Sequence, residues 1–349
     1  MKRSIITYIS VFSLLLSVGV VDNLKAQSKV GTTAATFLTI GTGARGSALG
    51  HAYTSTARGA DALFWNVSGS AIPNKNNLGS VMFTNFKMFA DIDYNALGVA
   101  IPITKQGGVI GLSASTVQYG TMDVRTGEDP DGTGERFSAS DLMIGVSYAQ
   151  PLTKSFYIGG QMKWVTERIW DMRANTIAID VGLTLITEYL NGARLAASIQ
   201  NFGGKMQMDG INVRDTYEPS PEFGGNDRVF VRRELDSWNI PLQFKFGIAI
   251  PAIDTKYYRL ELLAESHQTN DQNLNGDFGT EFTFMTNSTN FYIRGGYKDL
   301  FLGDYVDGHI TYGAGFDMSL SKTRIGFDFA VSRQNYLADV QMIDFRVYF

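Results

Sequence analysis

Bulky apolar residues alternate with small or polar residues in many separate stretches of this chain. In Leu242–Ile250 (LQFKFGIAI) the even-numbered positions are all bulky and apolar, whereas the odd-numbered positions hold Gln, Lys, Gly and Ala. Ile177–Leu185 and Ile325–Ser332 repeat the pattern. Successive side chains of a strand point to opposite faces, so a period of two predicts β-strands.

Two architectures use such strands: a soluble sandwich and a transmembrane barrel. A sandwich strand buries its apolar face in a core and turns a polar face to water. Here the second face is rich in Gly, Ala, Ser and Thr with scattered charges. Segments of about ten residues also suit tilted strands that cross a bilayer. The pattern therefore favours an all-β protein, a transmembrane antiparallel β-barrel with its apolar side chains outward.

The strand segments and their connections follow the plan of a bacterial outer-membrane barrel, which has an even number of strands. About fourteen segments alternate, near 78–87, 93–103, 108–118, 139–150, 155–166, 174–187, 192–202, 239–251, 256–266, 276–286, 289–298, 308–318, 322–332 and 340–349. Short connections such as TKQG and TNST alternate with long ones such as Tyr119–Ser138 and Gly203–Trp238. We expect the short class to be periplasmic turns and the long class extracellular loops. The chain ends on the outward face at Phe349, similar to the terminal signal of outer-membrane barrels.

The N-terminus has the pattern of a secretory signal peptide. Lys2 and Arg3 precede the apolar run Ile5–Val21, and the small residue Ala26 follows. A membrane anchor is the alternative, but Thr and Ser residues dilute the run. We predict a signal peptide at 1–26, an N-terminal plug segment at 27–77 and the barrel at 78–349, with the mature protein in the cell outer membrane.

Composition excludes several classes of function. The 349 residues carry a formal net charge of −4, which offers no basic surface for nucleic acid. The chain has no Cys, which removes disulfides, thiolate catalysis and cysteine-ligated metals. Only 18% of the residues are charged, below the share of about 25% that is usual for soluble domains. This balance agrees with a chain that contacts a lipid bilayer.

The stretch Gly41–Gly50 (GTGARGSALG) begins with G-x-G-x-x-G, the fingerprint of a dinucleotide-binding turn. No alternation of strands and helices follows it, and that fingerprint requires one. The stretch instead resembles the N-terminal signature of the PorV/PorQ family, which is similar to the fatty-acid-transporter (FadL-like) barrels. The matching positions are Gly43, Ala44, Arg45, Leu49, Gly50, Ala52, Asp61, Ala62, Trp65, Asn66 and Gly69, and the sequence departs from the signature at Val67 and Ser68.

The resemblance implies an outer-membrane component of the type IX secretion system. Such a protein would bind secreted cargo proteins or other secretion-system outer-membrane proteins of the translocon through its extracellular loops. The alternative is a FadL-like channel for hydrophobic small molecules. An enzyme is disfavoured because no nucleophile elbow and no H-E-x-x-H occurs, and the three His residues, among them His267, are far apart. No cofactor and no metal site are predicted, since the acidic loop Gly127–Glu135 lacks calcium-loop spacing and reads as a turn.

Glycines allow close packing where larger side chains would clash. We therefore expect the plug segment to pack in the lumen through Gly43, Arg45, Gly46, Gly50, Asp61, Trp65 and Asn66. Charges of both signs fall on the inward faces, at Lys163, Asp180, Lys245, Arg259, Glu261, Glu281, Arg294, Asp328 and Arg346. Burial demands partners for such groups, so we expect pairing among them or with the plug segment.

Some of the predicted outer loops carry apolar side chains. KDLFLGDYVDG and ERIWDMR each hold a cluster, and the longest loop, Gly203–Trp238, holds several aromatic residues. Exposed apolar patches mark contact with a partner or with a membrane. Candidate partner-binding residues are Leu300, Phe301, Leu302, Tyr305, Trp170, Phe223 and Trp238. The alternative is that these side chains cover the barrel mouth or lie among lipid headgroups.

Overall fold

A computed structural model describes residues 31–73, 79–103, 107–217, 229–301 and 308–349. The predicted signal peptide therefore lies outside the described residues, as do three of the candidate partner-binding residues, Leu302, Tyr305 and Phe223. The described part contains one large antiparallel sheet, an N-terminal segment of short helices and several short strands in one loop.

Fourteen long strands form a closed antiparallel β-barrel, which confirms the predicted fold class. They are β1 Ser80–Lys87, β2 Asp93–Pro102, β3 Val109–Asp123, β4 Arg136–Pro151, β5 Phe156–Ile169, β6 Met172–Ile186, β7 Arg194–Gly203, β8 Gln243–Asp254, β9 Tyr258–Thr269, β10 Asn275–Met285, β11 Thr289–Tyr297, β12 Ile310–Leu320, β13 Thr323–Ser332 and β14 Val340–Tyr348. Each strand pairs with its neighbours in sequence, and β1 pairs with β14 to close the wall. Closure leaves the wall without a free edge, which an exposed apolar sheet requires.

The alternation seen in the sequence separates the outer surface from the interior. In β6, Ile177, Ile179 and Val181 are exposed, whereas Ala178 and Asp180 between them are buried. The outer surface carries a band of large apolar side chains, which includes Leu97, Leu112, Ile144, Met162, Phe246, Phe282, Ile293, Tyr312 and Phe345. Exposure of a continuous apolar band to water is unfavourable, whereas contact of this band with the hydrocarbon core of a bilayer is favourable.

The last strand closes the barrel in register with the first. Val81 lies opposite Val347 and Phe83 lies opposite Phe345, so apolar pairs continue the outer surface across the seam. The backbone N–H of Phe349 donates to the carbonyl of Gly79 at 3.0 Å, and its ring is half exposed. The C-terminal residue is thus fixed beside the start of the first strand.

The β5–β6 connection differs from the predicted loop. Ile169 and Met172 are register partners at the ends of the two strands, so Trp170 and Asp171 alone make a tight turn. Trp170 has a positive φ of 54°, and its ring stacks on Phe137 of β4 with centroids 5.7 Å apart. Ile169 and Met172 are therefore strand positions, and the β5 strand extends beyond its predicted end near residue 166, whereas Trp170 lies in the turn.

The β3–β4 hairpin also extends farther than predicted, because its ladder continues to Asp123 and Arg136 after a bulge between Gln118 and Thr121. The longest connection, between β7 and β8, contains five short strands. Lys205–Met206 pairs with Trp238–Asn239, Asp209–Gly210 pairs with β6, and Arg214–Tyr217 pairs with Val229–Arg232. This connection therefore has folded portions on both sides of residues 218–228.

Residues 31–73, called here the N-terminal segment, contact inward-facing side chains of the wall. They form two short α-helices, α1 Ala44–Ala48 and α2 Ala62–Trp65, and two 3-10 helices, Thr36–Thr39 and Val67–Ala71. Two further 3-10 helices, Phe89–Asp91 and Ile211–Val213, lie in loops. Within the described ranges, every helix is too short or too polar to cross a membrane. The short helices of the N-terminal segment occur in a part of the sequence that is rich in glycine and other small residues.

A charge on the outer surface tests the membrane-facing assignment. Ile293 is 65% exposed at the centre of β11, and we expect Ile293→Arg to reduce the free energy of unfolding by about 2–4 kcal/mol, the cost of a cation near the bilayer midplane. Ile293→Leu keeps an apolar side chain and serves as the matched control. The measurement is urea unfolding in lipid vesicles, followed by heat-modifiable mobility. Equal stability of the two variants would show that this face does not contact lipid.

Candidate functional site

The N-terminal segment is bound to the inner face of the wall by hydrogen bonds. The side-chain amide of Asn66 donates to the carbonyl of Leu183 and to Oγ1 of Thr184 on β6, both at 3.1 Å. The side-chain amide of Gln200 on β7 donates to the carbonyl of Trp65 at 2.6 Å. On the other side, the N–H of Ala60 donates to Oγ of Ser80 on β1 at 2.9 Å. The segment is therefore held by strands from separate parts of the wall.

Two glycines of the segment lie where another residue would not fit. At Gly46 a Cβ atom would fall within 2.9 Å of the rings of Trp65 and Tyr53. Trp65 is fully buried, and its indole N–H donates to the carbonyl of Thr42 at 2.7 Å. Gly50 has a φ of +63° and approaches the backbone of β10 and β11. Close contact between backbones accounts for the glycine spacing that resembles a nucleotide-binding turn.

Buried charges join the segment to five successive strands. Arg346 of β14 pairs with Asp61 of the segment, with Nη1 and Oδ2 2.9 Å apart, and also contacts Asp328 of β13. Arg45 of the segment pairs with Glu281 of β10 at 2.8 Å, and Glu281 also pairs with Arg294 of β11 at 2.6 Å. Further members are Asp317 of β12 and the hydroxyls of Tyr53 and Tyr292. We call this set the interior ion network.

The other inward charges form separate pairs. Lys163 contacts Asp180 at 2.8 Å, and Arg194 pairs with Glu261. Lys245 lies over the ring of Trp65, with its Nζ 4.8 Å from the centroid. Arg259 lies near the β8–β9 turn, where it pairs with the half-exposed Asp254 at 2.8 Å. Arg194 is absent from the predicted set because its strand shows the alternation weakly at its first residue.

A polar cavity of about 180 Å³ lies between the segment and strands β7 to β10. The side chains of Leu38, Ile40, Phe64 and Trp65 form its apolar part, and Gln200, Lys245, Glu265, His267, Asp277 and Asp299 supply polar groups. His51 also faces it, and burial, with a smaller contribution from Lys298, lowers the pKa of His51 to about 3. His51 is therefore neutral at physiological pH. We call this space the inner cavity.

A second cavity, of about 510 Å³, lies at the end of the barrel that carries the long β7–β8 connection, called here the loop end. Its lining mixes polar and apolar groups, which come from the segment, from β5 and β6 and from the long β7–β8 connection. The apolar lining residues are Ala34, Ala174, Met206, Met208, Leu235 and Trp238, and Glu167 and Asp236 add charge. We call this space the outer cavity. Trp238, predicted as a partner-binding residue, thus lines a cavity and is 47% exposed.

The remaining described candidates for partner binding are at the loop end. The backbone N–H groups of Leu300 and Phe301 donate to Gly276 and Asn275 of β10, at 2.9 and 3.0 Å. Their side chains stay 40% and 54% exposed. Trp170 is 36% exposed and lies apart from them on the β5–β6 turn. These residues form separate apolar spots in the described part of the loops.

Comparison with known proteins identifies the fold. No family model matches the sequence, and no curated protein matches it. The toluene transporter TodX of Pseudomonas putida gives a TM-score of 0.51 at 10% identity, over 87% of this chain and 96% of the transporter. A TodX deltaS2S3 mutant monoaromatic hydrocarbon channel gives 0.54 at 10% identity, over 88% and 98%. A Pseudomonas aeruginosa FadL homologue gives 0.48 at 8% identity, over 87% and 97%.

The chain shares the β-barrel fold of the TodX structures. At this level of identity the likeness concerns the path of the chain and not the substrate. The fold and the apolar outer surface agree with the predicted location in the outer membrane.

The interior ion network makes a prediction about stability. Arg346→Gln would leave Asp61 buried without its cation, whereas Asp328 would keep its pair with Arg294, so we expect a loss of about 3–5 kcal/mol in the free energy of unfolding. The control is Arg136→Gln, which breaks a pair with Asp123 on the exposed β3–β4 hairpin and should change stability little. Urea unfolding of both variants in lipid vesicles measures the difference. Similar losses for the two variants would contradict a structural role for the network.

Proposed function

We propose that this protein is an outer-membrane channel for small hydrophobic molecules. The observation that carries the proposal is the outer cavity, whose volume of about 510 Å³ falls in the range of small-molecule sites. Its walls offer methionine and tryptophan side chains at the loop end, where a molecule from outside would enter. Thioether and indole groups adapt to apolar ligands of varied shape.

A buried apolar cluster lies between this cavity and the inner cavity. Met206 lines the outer cavity and belongs to a buried cluster with Phe37, Ala178 and Ile240. Leu38 and Ile40 pack against the same cluster and line the inner cavity. Residues 34–40 of the N-terminal segment therefore separate the two cavities. A shift of this short stretch would join them.

The stretch is held by few hydrogen bonds, which suits a part that moves. The N–H of Ala35 donates to Glu167 of β5 at 2.8 Å, and the N–H of Ala34 donates to the carbonyl of Asn239 at 2.9 Å. The 3-10 helix Thr36–Thr39 follows directly. The names of the structural neighbours, a toluene transporter and a monoaromatic hydrocarbon channel, support an apolar permeant. In this chain the segment that fills the interior would act as plug and gate.

The outer cavity provides a direct test of this function. We expect Met208→Asp to reduce the uptake of toluene by about tenfold, because it replaces an apolar contact with a third carboxylate beside Glu167 and Asp236 and so weakens the binding of an apolar molecule. Met208→Leu keeps the lining apolar and is the matched control. Uptake is measured in vesicles that contain the purified barrel, with benzoate as a charged analogue of similar size. Equal toluene uptake by both variants, or no uptake above empty vesicles by the unaltered protein, would contradict the proposal.

A second candidate function is binding of secreted proteins or of the type IX translocon. The resemblance of the N-terminal segment to the PorV/PorQ signature supports it, and so do the exposed apolar side chains at the loop end. Phe301 is the main example, since its backbone is fixed to β10 while more than half of its ring surface stays exposed. A rigid backbone with an exposed aromatic side chain is typical of interface anchors.

Replacement of this side chain tests the second candidate. We expect Phe301→Ser to remove most of the protein that co-purifies from native outer membranes, because a central aromatic anchor typically contributes more than about 2 kcal/mol. Tyr257→Ser is the control, since Tyr257 is 57% exposed in the β8–β9 turn at the opposite end of the barrel. Unchanged co-purification in the Phe301 variant would remove support for a partner at this position.

A further inference from the structure

Three potential metal ligands meet at the inner cavity. They are His267 of β9, Asp277 of β10 and Asp299 of the β11–β12 loop, and one ligand atom from each lies within 4.8 Å of the other two. Nδ1 of His267 is 2.9 Å from Oδ2 of Asp277, and Nε2 is 3.7 Å from Oδ1 of Asp299. All three residues line the inner cavity, which gives a small ion a route to them.

Two of the carboxylate oxygens are held in place by the protein. Oδ1 of Asp277 accepts the backbone N–H of Asp299 at 2.8 Å. Oδ1 of Asp299 accepts the side-chain amide of Asn275 at 2.6 Å, and Asn275 is itself fixed by the N–H of Phe301. Hydrogen bonds of this kind orient metal-binding carboxylates.

The second oxygen of Asp277 lacks a hydrogen-bond partner among the described residues. The Asp277 side chain is only 1% exposed, and its Oδ2 faces Nδ1 of His267 at 2.9 Å with no other partner among the described residues. A buried carboxylate oxygen without a partner is costly. Two adjacent ligands of one metal ion, each about 2.1 Å from it, are separated by a similar distance of roughly 3 Å.

The two carboxylates of the cluster favour a divalent cation. Two carboxylates face one imidazole, so the three side chains together carry two negative charges when the imidazole is neutral. The nearby Lys245 lies over Trp65. A divalent cation would balance both carboxylates.

We propose that His267, Asp277 and Asp299 bind a divalent cation of the zinc class at the wall of the inner cavity. One imidazole with two carboxylates is a donor set suited to such an ion, and the cavity side leaves positions for water or a bound molecule. The proposal goes beyond the channel function and does not depend on it. The sequence predicted no metal site, because strand pairing and a loop bring together residues that are far apart along the chain.

Zinc binding to the full-length barrel tests the proposal. The protein carries a tag without histidine, is treated with a chelator and is titrated with Zn²⁺ alone in detergent by calorimetry. We expect one equivalent to bind and to raise the midpoint of heat-modifiable unfolding. Asp277→Asn keeps the shape of the side chain and should weaken binding by at least about tenfold, and His267→Gln should do the same.

Two further variants keep the test decisive. Asp299→Asn lies in a loop and should weaken zinc binding even if a strand variant fails to fold. His309→Gln removes an imidazole that stacks on Tyr297 outside the cluster and should leave binding unchanged. Absence of zinc binding by the unaltered protein would overturn the proposal. Binding that persists at full strength in Asp299→Asn and Asp277→Asn, or that is lost in His309→Gln, would overturn it as well.

Discussion

The architecture depends on one electrostatic constraint: charges that point into the barrel are cut off from water and need partners. Arg346 and Arg294 have side chains that are almost fully buried. An isolated charge in such surroundings is strongly unfavourable, and the loss of one partner from a buried pair is far more costly than the loss of a surface pair. The N-terminal segment meets this need with Asp61 and Arg45, so the wall and its contents stabilise each other.

The same constraint divides the interior into two chemical environments. Strands β10 to β14 carry the ion network and hold α1 and its flanking turns tightly, with glycine at the points of closest approach. Both cavities lie near β5 to β9, where Asn66 and Gln200 still join the segment to β6 and β7 by hydrogen bonds. In the proposed channel, residues 34–40 would rearrange beside these cavities while the ion network keeps the rest of the segment in place.

The wall was predictable from the sequence, whereas its contents were only partly so. The period of two predicts that Ile177 and Asp180 lie on opposite faces of their strand, because alternation is a local property of a strand. The short helices and the partners of the inward charges depend on contacts across the barrel, and Arg346 meets Asp61 across 285 positions. The cluster at His267 could not be found from spacing, since its members come from two strands and a loop. The sequence around Trp170 predicts a loop, because the alternation of apolar and polar residues weakens where the β5–β6 hairpin leaves the bilayer.

The pairing of the first strand with the last has a consequence for assembly. The wall cannot close until β14 has been made, because β14 is the partner of β1. Arg346, which secures the N-terminal segment through Asp61, lies on that same strand. The final strand therefore contributes both the seam of the wall and the cation that pairs with the N-terminal segment. Because these partners are so distant in sequence, we expect the seam to form more slowly than the hairpins between neighbouring strands.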